Sequence, residues 1–120
     1  MKKLVILFFL LSSVTLFGKE LKILYPNGGE RIFLNRNTET IRWKADKSVG
    51  EIVILLYRKG VKLFEIKNNV KTDPTKAIQT FIWRFDPKLK EGDGYRIRIR
   101  SLKNLSINDF SDRDFLIARK

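Results

Sequence analysis

Cysteine and histidine are both missing from the 120 residues. Their absence removes thiol and imidazole nucleophiles, the Ser-His-Asp triad, and zinc sites built on Cys or His. It also leaves no disulfide and no cysteine to accept a lipid. Small secreted domains often lean on disulfides, so here apolar packing alone must hold the fold, which about 100 residues can do with a modest core. No Gly-x-Ser-x-Gly elbow is present. No pair of carboxylates is set apart in the manner of a glycosidase, with a spatial pair such as Glu30 and Glu91 left open. A non-enzyme that needs no cofactor is the expectation.

A long apolar run is missing too. The stretch Leu4 to Phe17 is broken by Ser12, Ser13 and Thr15, and it falls short of the roughly 20 residues that span a bilayer. Met1-Lys2-Lys3 before it, and the smaller mixed segment Ser12 to Gly18 after it, give the layout of a secretory signal peptide. Residues 1–18 are therefore expected to be a cleaved leader, the alternative being an uncleaved anchor, and residues 19–120 the mature domain. That domain is expected to be exported, periplasmic or at the cell surface, with no membrane span of its own.

Acidic residues are few relative to basic ones: 25 Lys and Arg against 13 Asp and Glu, a net charge of +12. Loss of Lys2 and Lys3 with the leader lowers the basic count to 23 and the net charge to +10. Such a surface attracts anionic partners, among them nucleic acid, acidic glycans and lipid head groups, and it also keeps a protein soluble.

What is present is strand patterning. Helical periodicity is absent from the mature chain, while alternation recurs in short segments separated by turn residues. Glu20 to Tyr25 alternates and stops at Pro26-Asn27-Gly28-Gly29-Glu30, where Pro lacks a ladder donor and the glycines accept positive φ. Arg31 to Leu34 reads as a short edge piece. Thr38 to Ala45 places Ile41 and Trp43 on one face. Glu51 to Tyr57 is apolar on both faces and reads as a central strand, with Val61 to Lys67 its hairpin partner. Ile78 to Phe85 carries Phe81, Trp83 and Phe85 on one face. Tyr95 to Arg100 alternates without a break, and Asp114 to Ala118 is the last strand. Asn68 to Lys76 and Leu102 to Asp112 read as polar connections. Seven strands in about 100 residues predict an all-β fold, an antiparallel seven-stranded β-sandwich with Greek-key connections of the fibronectin-III or immunoglobulin kind.

Individual residues sort into fold and surface. Leu89, Gly92 and Tyr95 have the spacing of a tyrosine corner, in which the Tyr hydroxyl reaches back to an upstream backbone group. Trp43 and Trp83 share faces with Ile41, Phe81 and Phe85, so core packing is preferred over a sugar platform. Arg96, Arg98 and Arg100 form a row at about 7 Å intervals on one face of their strand. They are the best candidate ligand-binding residues, able to grip phosphate or carboxylate bidentately, although such a row also keeps a sheet soluble and guards it against edge pairing. With Ile52, Ile54 and Leu56 inward, Val53, Leu55 and Tyr57 form an outer apolar strip that marks a partner contact unless another strand covers it. Tyr57 joins the candidate ligand-binding residues. The oxygen-rich run Asn108 to Asp114 supplies three carboxylates without the Gly turn of a calcium loop, and reads as charged turn residues.

Taken in order, Ile23-Leu-Tyr-Pro26-Asn-Gly-Gly-Glu30, Ile41-Arg-Trp43, Ile52 to Tyr57, Phe81-Ile-Trp83, Leu89 to Ile99, and Asp109-Phe-Ser111 with Phe115 and Ile117 carry a resemblance. The chain from Leu21 to Ile117 resembles the N-terminal domain of the yeast Kre and Knh cell-wall synthesis proteins, also called the Ser-Thr-rich glycosylphosphatidylinositol-anchored membrane family. The resemblance implies a secreted, fibronectin-III-like sandwich, associated in fungi with β-1,6-glucan assembly and found in bacterial surface proteins. Its motifs, with Pro26, Gly28, Gly29, Trp43, Trp83 and Tyr95 among them, are structural and name no reaction. The expected function is a non-catalytic module binding a cell-wall or surface glycan or a surface protein. The alternative is a basic module that binds anionic polymer, acidic glycan or nucleic acid, through the arginine face.

Overall fold

Five consecutive residues of the central strand, Ile52 to Leu56, are at most 1% exposed. That degree of burial on both faces requires neighbours on both sides and cover above and below. The computed structural model describes residues 20–119, so the leader expected at 1–18 lies outside the described residues. Those residues form an all-β protein of nine strands: β1 (Leu21–Tyr25), β2 (Arg31–Phe33), β3 (Thr38–Ala45), β4 (Ile52–Arg58), β5 (Val61–Val70), β6 (Ile78–Arg84), β7 (Gly92–Ser101), β8 (Asn108–Phe110) and β9 (Phe115–Ala118). Three make one sheet in the order β1-β3-β6. The other six make a second, in the order β2-β9-β7-β4-β5, with β8 also paired to β7. Among the described residues no helix is long and apolar enough to cross a membrane.

Both sheets contribute to one core. Leu21, Ile23, Ile41, Trp43 and Trp83 from the smaller sheet join Ile52, Ile54, Leu56, Tyr95, Ile97, Ile99, Phe115 and Ile117 from the larger in a single buried cluster. Each fully buried Leu, Ile or Val of that kind contributes about 1.5–3 kcal/mol. Trp43 and Trp83 lie at the centre, 0% and 1% exposed, and Trp83 meets Phe85 edge-on at 5.0 Å. They are core residues and offer no platform to a ligand.

The strand count exceeds the expected seven because the short edge piece at Arg31 forms β2 and the expected polar connection before the last strand contains β8. The Pro26–Glu30 turn, entered through a cis Tyr25–Pro26 bond, sends β1 into one sheet and β2 into the other, where β2 runs parallel to β9. The expected polar connection Leu102 to Asp112 contains β8, whose three residues pair with Arg98, Ile99 and Arg100. Likewise the hairpin partner of β4 continues to Val70, past Lys67, through several register shifts.

Buried polar groups join the two sheets around β2 and β8. The Asp109 carboxylate of β8, 4% exposed, accepts a 2.8 Å hydrogen bond from Ile23 N on β1. Ser111 Oγ donates to Pro26 O at 2.8 Å and accepts from Ile97 N at 3.0 Å. Glu30 folds back on its own turn, accepting from Asn27 N and Gly28 N at 2.7 and 2.6 Å. The backbone then ties down the turn from outside, with Arg113 N donating to Asn27 O and Gly29 N to Asp114 O.

Candidate binding cleft on the six-stranded sheet

Strand β7 alternates Tyr95, Ile97 and Ile99 inward with Arg96, Arg98 and Arg100 outward, as its sequence requires. The register with β4 places Val53 opposite Arg100, Leu55 opposite Arg98, and Tyr57 opposite Arg96. Val53 and Leu55 therefore point away from the shared core, yet each is only 1% exposed. Long side chains directly opposite stand within contact range, and an Arg stem covers apolar surface while its head stays wet. The arginine row thus borders the outer apolar strip on one side, and Glu65 of β5 stands opposite Leu55 on the other.

The heads of those arginines have partners of their own. Arg96 Nε donates to Asp114 Oδ1 at 2.6 Å in a partly exposed ion pair. Arg98 donates to Tyr57 Oη at 2.9 Å and to Asn108 Oδ1 at 3.3 Å. Its guanidinium lies 4.9 Å from the Phe110 ring centroid and 5.9 Å from that of Tyr57, while the two rings meet edge-on at 5.0 Å. Arg100 Nε is buried without a hydrogen-bond partner. The row is not an open set of three forks.

An open cleft of about 440 Å3 sits at one end of this face, lined by Tyr57, Lys59, Gly60, Gly94, Arg96, Phe110 and Asp114. Its volume lies in the range of small-ligand sites. Two aromatic rings form an apolar part, the Arg96–Asp114 pair supplies donors and an acceptor, and Lys59 stands 3.7 Å from Asp93 outside the cleft. Gly94 is there for space: at φ +82° a Cβ would approach Lys59 Cγ to 2.7 Å.

Of the residues singled out from sequence, Tyr57 and Arg96 line the cleft, Arg98 braces its aromatic pair, and Arg100 stands apart from it. Phe110, Asp114 and Lys59 went unnoticed as site residues. Phe110 carried one signal, an isolated aromatic in an otherwise polar stretch. Glu30 and Glu91 each have a local partner: Glu30 is held by its own turn, and Glu91 accepts from Arg119 N at 3.1 Å. The carboxylates between Asn108 and Asp114 serve separate partners, Ile23 N, Asn27 Nδ2 and Arg96 in turn.

The tyrosine corner is built as its spacing predicts. Tyr95 Oη donates to Lys90 O at 2.6 Å, and burial raises its pKa above the ordinary 10.0. The ring stacks on Phe115, 6.1 Å between centroids, and carries Arg58 on its other contact at 4.9 Å. Arg58 also occupies the space where a Cβ on Gly92 would stand. Leu89 is 7% exposed beneath the turn.

Comparison of the chain with family models, with curated proteins and with solved structures gives no match.

Proposed function

We propose that this protein is an exported, non-catalytic β-sandwich module that binds a neutral glycan at the cell surface or wall through the cleft beside Tyr57. The observation that carries the reading is the lining itself: Tyr57 and Phe110 next to an Arg96–Asp114 pair. Sugar rings present apolar C–H faces that stack on aromatics and hydroxyl pairs that match a mixed donor and acceptor edge. Asp114 neutralises Arg96, and Arg98 is spent on Tyr57, Phe110 and Asn108, so the site suits hydroxyls better than a row of phosphates.

The sheet orders support a fibronectin-III or immunoglobulin-like Greek key, with β1 and β2 as halves of one strand and β8 and β9 as halves of another. That count returns seven strands. The Kre/Knh-like resemblance implies a sandwich of the same kind and a wall-associated role, and the expected leader supplies the route there.

Retention on insoluble wall polysaccharide, in pull-downs at 50 and 500 mM salt, tests the reading. Salt-insensitive retention that falls at least about tenfold in Tyr57→Ala and in Phe110→Ala, with unfolding temperatures checked in parallel, is the expected result. Capture by heparin-like polymer or DNA that collapses with salt, and is lost in an Arg96, Arg98, Arg100 triple Ala variant, belongs to the anionic-polymer alternative. No retention on any wall fraction rejects the glycan role.

A further inference from the structure

The smaller sheet has an outer face that takes no part in the cleft. Ile41 and Trp43 of β3 are fully buried, so Arg42 and Lys44 between and after them point outward. The register sets Lys22 opposite Lys44, and continues across β3 to place Lys44 opposite Ile78, Arg42 opposite Thr80, and Thr40 opposite Ile82. Ile78 and Ile82 are 43% and 58% exposed. A cationic stripe on β1 and β3 therefore runs beside an apolar stripe on the edge strand β6, and none of these positions holds a carboxylate.

Two physical features ask for a partner. Like charges directly opposite in an antiparallel pair repel, and the Lys22–Lys44 pair is relieved in part by Asp112, 3.8 Å from Lys22 Nζ and half exposed. An external anion would remove that repulsion. Ile78 and Ile82, about 13 Å apart along the strand, gain nothing from a hydrophilic polyanion. They gain by leaving water for the head-group boundary of a bilayer. Tyr25, whose ring carries the Arg42 guanidinium at 4.9 Å, is of the type that settles at that level.

We propose that this face docks flat on an anionic lipid bilayer, with Lys22, Arg42 and Lys44 among the head groups and Ile78 and Ile82 beneath them. A protein partner's anchors would seek pockets, and three clefts among the described residues, beside Tyr57, Leu63 and Leu34, are lined by none of these side chains. The arrangement leaves the Tyr57 cleft, on the other sheet, facing away from the membrane. It is independent of what the cleft binds.

The test is co-sedimentation of the full chain with phosphatidylcholine vesicles, with and without phosphatidylglycerol. Each cation near such a surface contributes about fivefold to binding, so the Arg42→Glu, Lys44→Glu double variant should lose at least about tenfold on anionic vesicles. The Lys62→Glu, Lys67→Glu double variant changes net charge equally on the other sheet and should lose less than about threefold. Neutral vesicles report whatever the Leu4 to Phe17 run adds. Acetylation read by mass spectrometry localises the contact: anionic vesicles should protect Lys22 and Lys44 but leave Lys67 reactive. Equal losses in the two double variants, or unprotected Lys22 and Lys44, would overturn the proposal. So would protection by an acidic peptide or heparin-like polymer in the absence of protection by vesicles.

Discussion

Tyr95 shows how one side chain links sequence spacing to stability. Its hydroxyl bond to Lys90 O closes the turn ahead of β7, and Tyr95→Phe should lower stability by about 1–3 kcal/mol by leaving that carbonyl unpaired. An unchanged unfolding temperature would separate the corner geometry from its supposed role. The pH response has a definite sign. Burial raises the pKa of Tyr95, and burial together with Glu39 raises that of Tyr25, from 10.0. For a group raised on folding, the contribution is complete below the unfolded value and disappears as pH climbs through the folded one. The protein should therefore lose stability above about pH 10, and less steeply in Tyr95→Phe, in chemical denaturation from pH 8 to 12. Glycines divide similarly by surroundings. A Cβ on Gly28, at φ +141°, would meet Arg113 Cβ at 2.6 Å, whereas one on Gly60 meets nothing within 4 Å. Gly28→Ala should destabilise by about 2 kcal/mol or more and Gly60→Ala by about 1, the latter from backbone conformation alone, as read from urea midpoints.

At the level of elements, alternation was legible wherever one face met the core. The inward sets of β3, β4, β6 and β7 follow from period two, and the unbroken apolar run of β4 marked its central place. Arg31 to Leu34 announced the edge strand β2 between two turns, but the three-residue strand β8 was not legible, because three residues cannot show a period and its pairing is decided by distant neighbours. β8 forms where Asn108 to Phe110 meets Arg98 to Arg100, and nothing local in a polar stretch announces it. The same reason hid the cleft: Tyr57 and Arg96 sat on strands that sequence could place, while Phe110 and Asp114 arrive through β8 and the turn after it. Asp109 makes the point testable. Its carboxylate satisfies an N–H on β1, at the free edge of the smaller sheet. Asp109→Ala should leave Ile23 N buried and unpaired, at a cost of about 1–3 kcal/mol. Hydrogen exchange at Ile23 should accelerate in that variant, and if it does not, β1 is held by β3 alone.

Across the whole molecule, charge is the property that separates this protein from a generic all-β domain. With 25 basic and 13 acidic side chains, like charges dominate, and their mutual repulsion works against the compact state. Opposing this are ion pairs such as Lys22–Asp112, Lys59–Asp93 and Arg96–Asp114, all with side chains at least 41% exposed, and exposed pairs of this kind are worth about 0–1 kcal/mol each. Salt screens both, but repulsion accumulates over many pairs and attraction over few. Raising sodium chloride from 10 to 150 mM shortens the screening length from about 30 to about 8 Å, which removes most of the longer-range repulsion and leaves contacts near 3 Å partly intact. The unfolding temperature should therefore rise with salt, and a gain of 1 kcal/mol would appear as about 4–8 °C in a domain of this size. A fall in unfolding temperature over the same range would mean that the few ion pairs outweigh the net charge. In that case the basic faces are better balanced within the molecule than the residue counts imply, and they have less need of an anionic surface outside it.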